Sequence, residues 1–125
     1  MSNCIFEYRY RDAGNWKTEA AVILFGQIDT TIVDGIRKTL EAGELFIPEQ
    51  VGLKPLQNQH FLAHKTDPDD DMDHAFHEFI GVRAIESKND MQHPKLAITL
   101  EYLAAQFEAA GKQGWNVSIS PFSEC

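Results

Sequence analysis

Apolar and polar residues alternate one by one along the first strand-length stretch of the chain. Cys4, Phe6, Tyr8 and Tyr10 fall on one side, and Ile5, Glu7, Arg9 and Arg11 on the other. A period of two is that of a half-buried β-strand. Asp12-Ala13-Gly14-Asn15 supplies turn chemistry, with Gly14 free to take positive φ. In the stretch that follows, Trp16, Thr18, Ala20, Val22 and Leu24 share a face opposite Lys17, Glu19, Ala21, Ile23 and Phe25. Beyond Glu19 both faces are apolar, which predicts a second strand running into the middle of a sheet.

The period then lengthens. Ile32, Val33, Ile36 and Leu40 recur at helical spacing and predict a helix over 30–42, capped by Asp29, Thr30 or Thr31 and stopped by Gly43. Glu44 to Ile47 reads as a short strand ended by Pro48. From 49 to 66 the pattern weakens, with a short helix expected over 56–64. Phe76 to Ile85 reads as a strand, with Phe76, Ile80, Val82 and Ala84 on one side and Phe79 and Ile85 on the other. A second helix is expected over 94–110. Pro94 would open it, Leu96, Leu100, Leu103 and Phe107 would form its buried stripe, and Gly111 would end it. Trp115, Val117 and Ile119 suggest a last strand before Pro121.

The predicted order is β-β-α-β, a long connection, then β-α-β. This is an α+β chain. Without its first strand it has the split βαβ (ferredoxin-like) order: an antiparallel-rich sheet, an added N-terminal strand, and two helices on one face. At 125 residues a single domain is expected. The connection at about 48–75 is long for a compact domain, and such segments are often functional.

Charge sharpens the interest in that connection. The twelve residues Asp67 to Glu78 (DPDDDMDHAFHE) hold six acidic groups and no Lys or Arg; without them the net charge of −8 falls to −2, 13 acidic residues against 11 basic. An anionic segment on a nearly balanced body can hold a cation, repel nucleic acid or dock on a basic partner. Nucleic-acid binding is further disfavoured because no RNP-like motif accompanies the Tyr/Arg strand; its tyrosines are expected to pack while Arg9 and Arg11 meet solvent or acids. No apolar run approaches the length of a membrane span, and no basic-then-apolar signal opens the sequence, so a cytoplasmic location is expected. Cys4 and Cys125 form no CxxC pair, and in a reducing compartment no disulfide is expected.

Two metal readings arise. Asp67, Asp69, Asp71, Asp73 and Glu78 take positions one, three, five, seven and twelve of an EF-hand loop, but Met72 stands where the sharp turn needs Gly, His74 where an aliphatic residue belongs, and a strand follows. A transition-metal set is the alternative: His64, His74, His77 and Glu78 combine imidazole and carboxylate donors of the kind Zn²⁺ accepts. Neither HExxH nor another recognised zinc spacing is present. If 73–78 is already strand, His74 and Glu78 share a face and His77 points away. GxSxG, P-loop and GxGxxG motifs are absent.

The segments YRYRDAGNWK (8–17) and DHAFHEF (73–79) resemble a group of small acidic bacterial proteins without known activity. The resemblance implies that Asp12, Gly14, Asn15, Trp16, His74, His77 and Glu78 belong to a shared pattern; it implies no cofactor and no chemistry. The sequence thus leads to a domain that binds a protein partner, a basic one, through Asp67, Asp69, Asp70, Asp71 and Asp73, and leaves open whether it is an enzyme. A homodimer through an unpaired sheet edge is compatible with this. A metal-binding protein or metal-dependent hydrolase using the His/Asp cluster at 60–78 is the alternative, with a divalent metal as its only implied cofactor.

Overall fold

In the computed structural model, which describes residues 3–11, 16–57, 59–60 and 75–116, the alternating N-terminal segments form a long hairpin. β1 (Asn3–Arg11) and β2 (Lys17–Phe25) pair antiparallel from Asn3↔Phe25 to Arg11↔Lys17 without a register break. β3 (Leu45–Phe46), β4 (His77–Ala84) and β5 (Lys95–Thr99) complete a sheet of order β3-β4-β1-β2-β5. All pairings are antiparallel except β2 with β5. The alternation of β1 is thereby explained: it is the central strand, and its two faces meet different surroundings.

Helices α1 (Thr30–Thr39) and α2 (Leu100–Gln113) pack on the face that carries Cys4, Phe6, Tyr8 and Tyr10. Ile36 and Leu40, and Leu100, Leu103, Phe107 and Ala110, close that layer. Phe6 sits at its centre, with ring centroids 5.2 Å from Phe79 and 5.9 Å from Phe107. A fully buried side chain of this size contributes about 1.5–3 kcal/mol, so this aromatic group is a principal source of stability. Local chemistry fixes the helix starts. The Asp29 carboxylate accepts from the Thr31 and Ile32 N–H groups, and Thr99 Oγ1 accepts from Tyr102 N–H.

Three expectations are corrected. The second helix begins at Leu100, not at Pro94, because 95–99 is a strand with Leu96 and Ile98 half-buried between exposed Lys95, Ala97 and Thr99. Gly111 lies inside α2, where an added Cβ would come within 3.0 Å of Thr39. α1 ends at Thr39; Ala42 and Gly43 then take positive φ (54° and 77°) and turn the chain back so that Leu45 bridges Glu41.

The faces of β4 also differ from a simple alternation. Glu7 pairs with Gly81 but Tyr8 pairs with Phe79, so Ile80 is the extra residue of a bulge. The bulge shifts the phase: Val82, Phe79 and His77 face the helices, while Ile80 is 38% exposed. The described strands and helices run β-β-α-β-β-β-α, so a strand precedes the second helix. Trp115 and Asn116 are not strand, and residues 117–125 lie outside the described residues.

Candidate functional site

Two buried histidines lie on either side of the acidic connection in the sequence. His60 is fully buried, with Nδ1 2.8 Å from Thr18 Oγ1 and its ring edge-on to Tyr10 at 4.8 Å. Seventeen positions later His77, also fully buried, lies 5.2 Å from the same tyrosine. His60 and His77, which lie on either side of 61–74 in the sequence, therefore meet at Tyr10. Asp67, Asp69, Asp70, Asp71, Asp73, His64 and His74 fall in that stretch, outside the described residues.

His77 is built as a core residue. The Leu56 N–H donates to Nε2 at 3.0 Å, which makes Nε2 the acceptor; Nδ1 then carries the proton and donates to the Ala75 carbonyl at 3.1 Å. In this neutral tautomer both ring nitrogens are engaged, and no lone pair remains for a metal. The ring closes a group made with Tyr8, Tyr10 and Phe46. The sequence pattern that suggested a ligand reflects a histidine that ties the 54–56 segment to β4. A neighbouring contact does similar work: Tyr8 Oη donates to the Lys54 carbonyl at 2.8 Å, and burial pushes the Tyr8 phenol up to about 12.

Glu78 points to the other face of the sheet. Its carboxylate accepts from Arg9 Nε and, at 3.2 Å, from Arg11 Nε. The two arginines next to the tyrosines are thus paired with an acid, as expected, while Tyr8 and Tyr10 pack. Of the six acids in the run, Glu78 is neutralised locally. His77 and Glu78 lie on opposite faces, so the structure does not bring these two candidate ligands together. Among the described residues no group of three or more His, Cys, Asp or Glu side chains is placed to hold a metal ion.

Sequence reasoning missed a second ionic arrangement. Arg83 grips Asp90 with two hydrogen bonds of 2.9 and 3.0 Å and reaches Glu7 at 3.3 Å. Asp90 also accepts from the Glu86 and Ser87 N–H groups. The Arg83 guanidinium, aided by those amides, holds the Asp90 carboxyl well below the usual carboxylate range, and Asp90 in turn raises Arg83. This clamp anchors the 86–93 turn on the helix-free face. The only sequence signal was an Asp three residues after Ser87, which is also compatible with an ordinary turn.

The layer between sheet and helices is filled by the aromatic core. A shallow groove of about 660 Å³ instead runs along the outer side of the helix pair, between Ile32 and Gly35 of α1 and Ala104, Ala105 and Gly111 of α2. Among the described residues no helix is long and apolar enough to cross a membrane. No protein-family model matches the chain, and no curated protein or solved structure shows detectable similarity to it.

Proposed function

We propose that this protein works by binding another macromolecule, a basic protein, through the anionic segment Asp67–Asp73, in an inhibitor, immunity-type or accessory role. The observation that carries the reading is the pooling of charge: five aspartates within seven residues account for most of a net charge of −8. Two features of the surroundings support it. Glu78, the sixth acid, is paired with Arg9 and Arg11. His60 and His77, on either side of the connection that bears them, both pack on Tyr10. Pooled negative charge speeds encounter with a basic surface and makes binding salt-dependent.

The metal reading is less well supported, because His77 and Glu78 have other partners. Changing Asp67, Asp69, Asp70, Asp71 and Asp73 to Asn separates the two. Loss of capture of an identified partner at low salt, with unchanged melting, supports the binding role. Capture that is unaffected by the changes and by salt removes it.

A further inference from the structure

The stretch 53–56 has no regular secondary structure, yet Leu53 and Leu56 are buried, as are Gln57 and His60 after them. Side chains of three strands reach this part of the chain. Tyr8 of β1 donates to the Lys54 carbonyl, His77 of β4 accepts from the Leu56 N–H, and Thr18 of β2 meets His60 Nδ1. These bonds respond differently to a proton. A threonine hydroxyl can donate or accept, so the His60 contact survives either state of its ring. A backbone N–H can only donate. The Leu56 bond therefore exists only while His77 Nε2 is bare, and a proton there would set two donors against each other at 3.0 Å.

We infer that His77 is an acid-sensitive latch: a proton on Nε2 releases the 53–56 segment from β4 while the hairpin stays paired. The described groups around the ring come from several elements. β1 presents the rings of Tyr8 and Tyr10, and β3 that of Phe46. His60 stands on the same Tyr10. From α1, the Arg37 guanidinium lies 4.8 Å from the ring centre of Phe79, the next side chain on this face of β4, and a positive charge there opposes a second one nearby. Glu78, with Arg9 and Arg11, lies on the opposite face. A free histidine takes up its proton near pH 6.5. The closed latch holds only the neutral ring, and the open segment admits the charged one. The latch is thus closed above that value and opens as pH falls below it. The hairpin pairs from Asn3↔Phe25 to Arg11↔Lys17 without help from His77, so the opening is local. The aspartates of the proposed binding surface play no part in it.

The test follows amide hydrogen exchange by NMR on the full-length protein from about pH 7.5 to about pH 5.5, on either side of the free-histidine value. Rates are corrected for the intrinsic effect of pH. One proton taken up on opening should lower the protection of Leu56 about tenfold over that range. The hairpin amides of Phe6 and Val22 should keep theirs. The ¹⁵N shift of His77 Nε2 should report protonation over the same range, a readout that needs no variant. His77→Gln offers Leu56 an amide oxygen that does not titrate, so Leu56 should stay protected and lose its pH dependence. Leu56 protection that is flat across the range overturns the inference. A fall shared by Phe6 and Val22 overturns it in favour of acid unfolding of the whole domain. A fall that persists in His77→Gln, or that occurs while the His77 shift stays constant, overturns it in favour of another sensor.

Discussion

Replacing His77 with Phe separates a structural histidine from a ligand. Phe keeps the ring volume against Tyr8, Tyr10 and Phe46 but removes both hydrogen bonds. The Leu56 N–H and the Ala75 carbonyl are then left without their partner in a site where His77 is fully buried. Each unsatisfied buried group costs about 1–3 kcal/mol, so the expected loss is about 2–6 kcal/mol. For a chain of this size that is a fall in Tm of about 8–20 °C. His77→Gln places an amide oxygen where it can accept from Leu56 and should recover part of the loss. Urea denaturation gives the free energies, and a melt of the wild type in added Zn²⁺ gives the comparison. The reasoning fails if His77→Phe costs less than about 0.5 kcal/mol. It fails equally if Zn²⁺ raises the wild-type Tm and His77→Phe abolishes that rise.

Further outcomes follow from other contacts. Gly111→Ala gains about 1 kcal/mol of helix propensity but drives a Cβ to 3.0 Å from Thr39. Thr39 cannot easily give way, since its hydroxyl donates to the Ile36 carbonyl and its own carbonyl accepts from Trp115 Nε1. Overpacking at about 1–3 kcal/mol should win, lowering the urea midpoint. Tyr8→Phe leaves the Lys54 carbonyl unpaired and should cost about 1 kcal/mol. With the folded phenol raised to about 12, the contribution of Tyr8 is full below about pH 10 and is lost as pH rises toward 12, which absorbance-monitored alkaline unfolding of wild type and variant will show. Asp90 has the opposite sign: its folded pKa is depressed, so its contribution is present above the ordinary carboxylate pKa of about 3.9 and is lost as pH falls below it. The Tm gap between wild type and Asp90→Asn should therefore be widest near neutrality and shrink in acid.

The hairpin and α1 were legible because each has a single uninterrupted period. Tyr8 and Tyr10 against Arg9 and Arg11 gave the two faces of β1 directly. β4 was not legible in phase, because one extra residue at Ile80 exchanges the faces on either side of it, and a bulge leaves no mark in a short apolar run. β5 and α2 were merged for a related reason: Leu96 and Leu100 are four apart, as on a helix, although the first lies on a strand and the second opens the helix. Thr99, three residues before Tyr102, carried the capping signal that separates them. His77 was singled out because donors crowd its sequence neighbourhood. Its role depends on Leu56 and Tyr10, which are distant in sequence and are brought to it only by the paired strands. The Arg83–Asp90 clamp was hidden in the same way by an unremarkable turn.

The most direct test of the binding role compares the wild type with the protein in which Asp67, Asp69, Asp70, Asp71 and Asp73 are Asn. Partner association is measured for both at about 50 mM and about 500 mM salt, on either side of the screening length that governs exposed charges. The wild type should bind at low salt and weaken steeply at high salt, while the variant melts normally and binds poorly at both. Equal affinities for the two proteins, with no dependence on salt, would contradict the assignment.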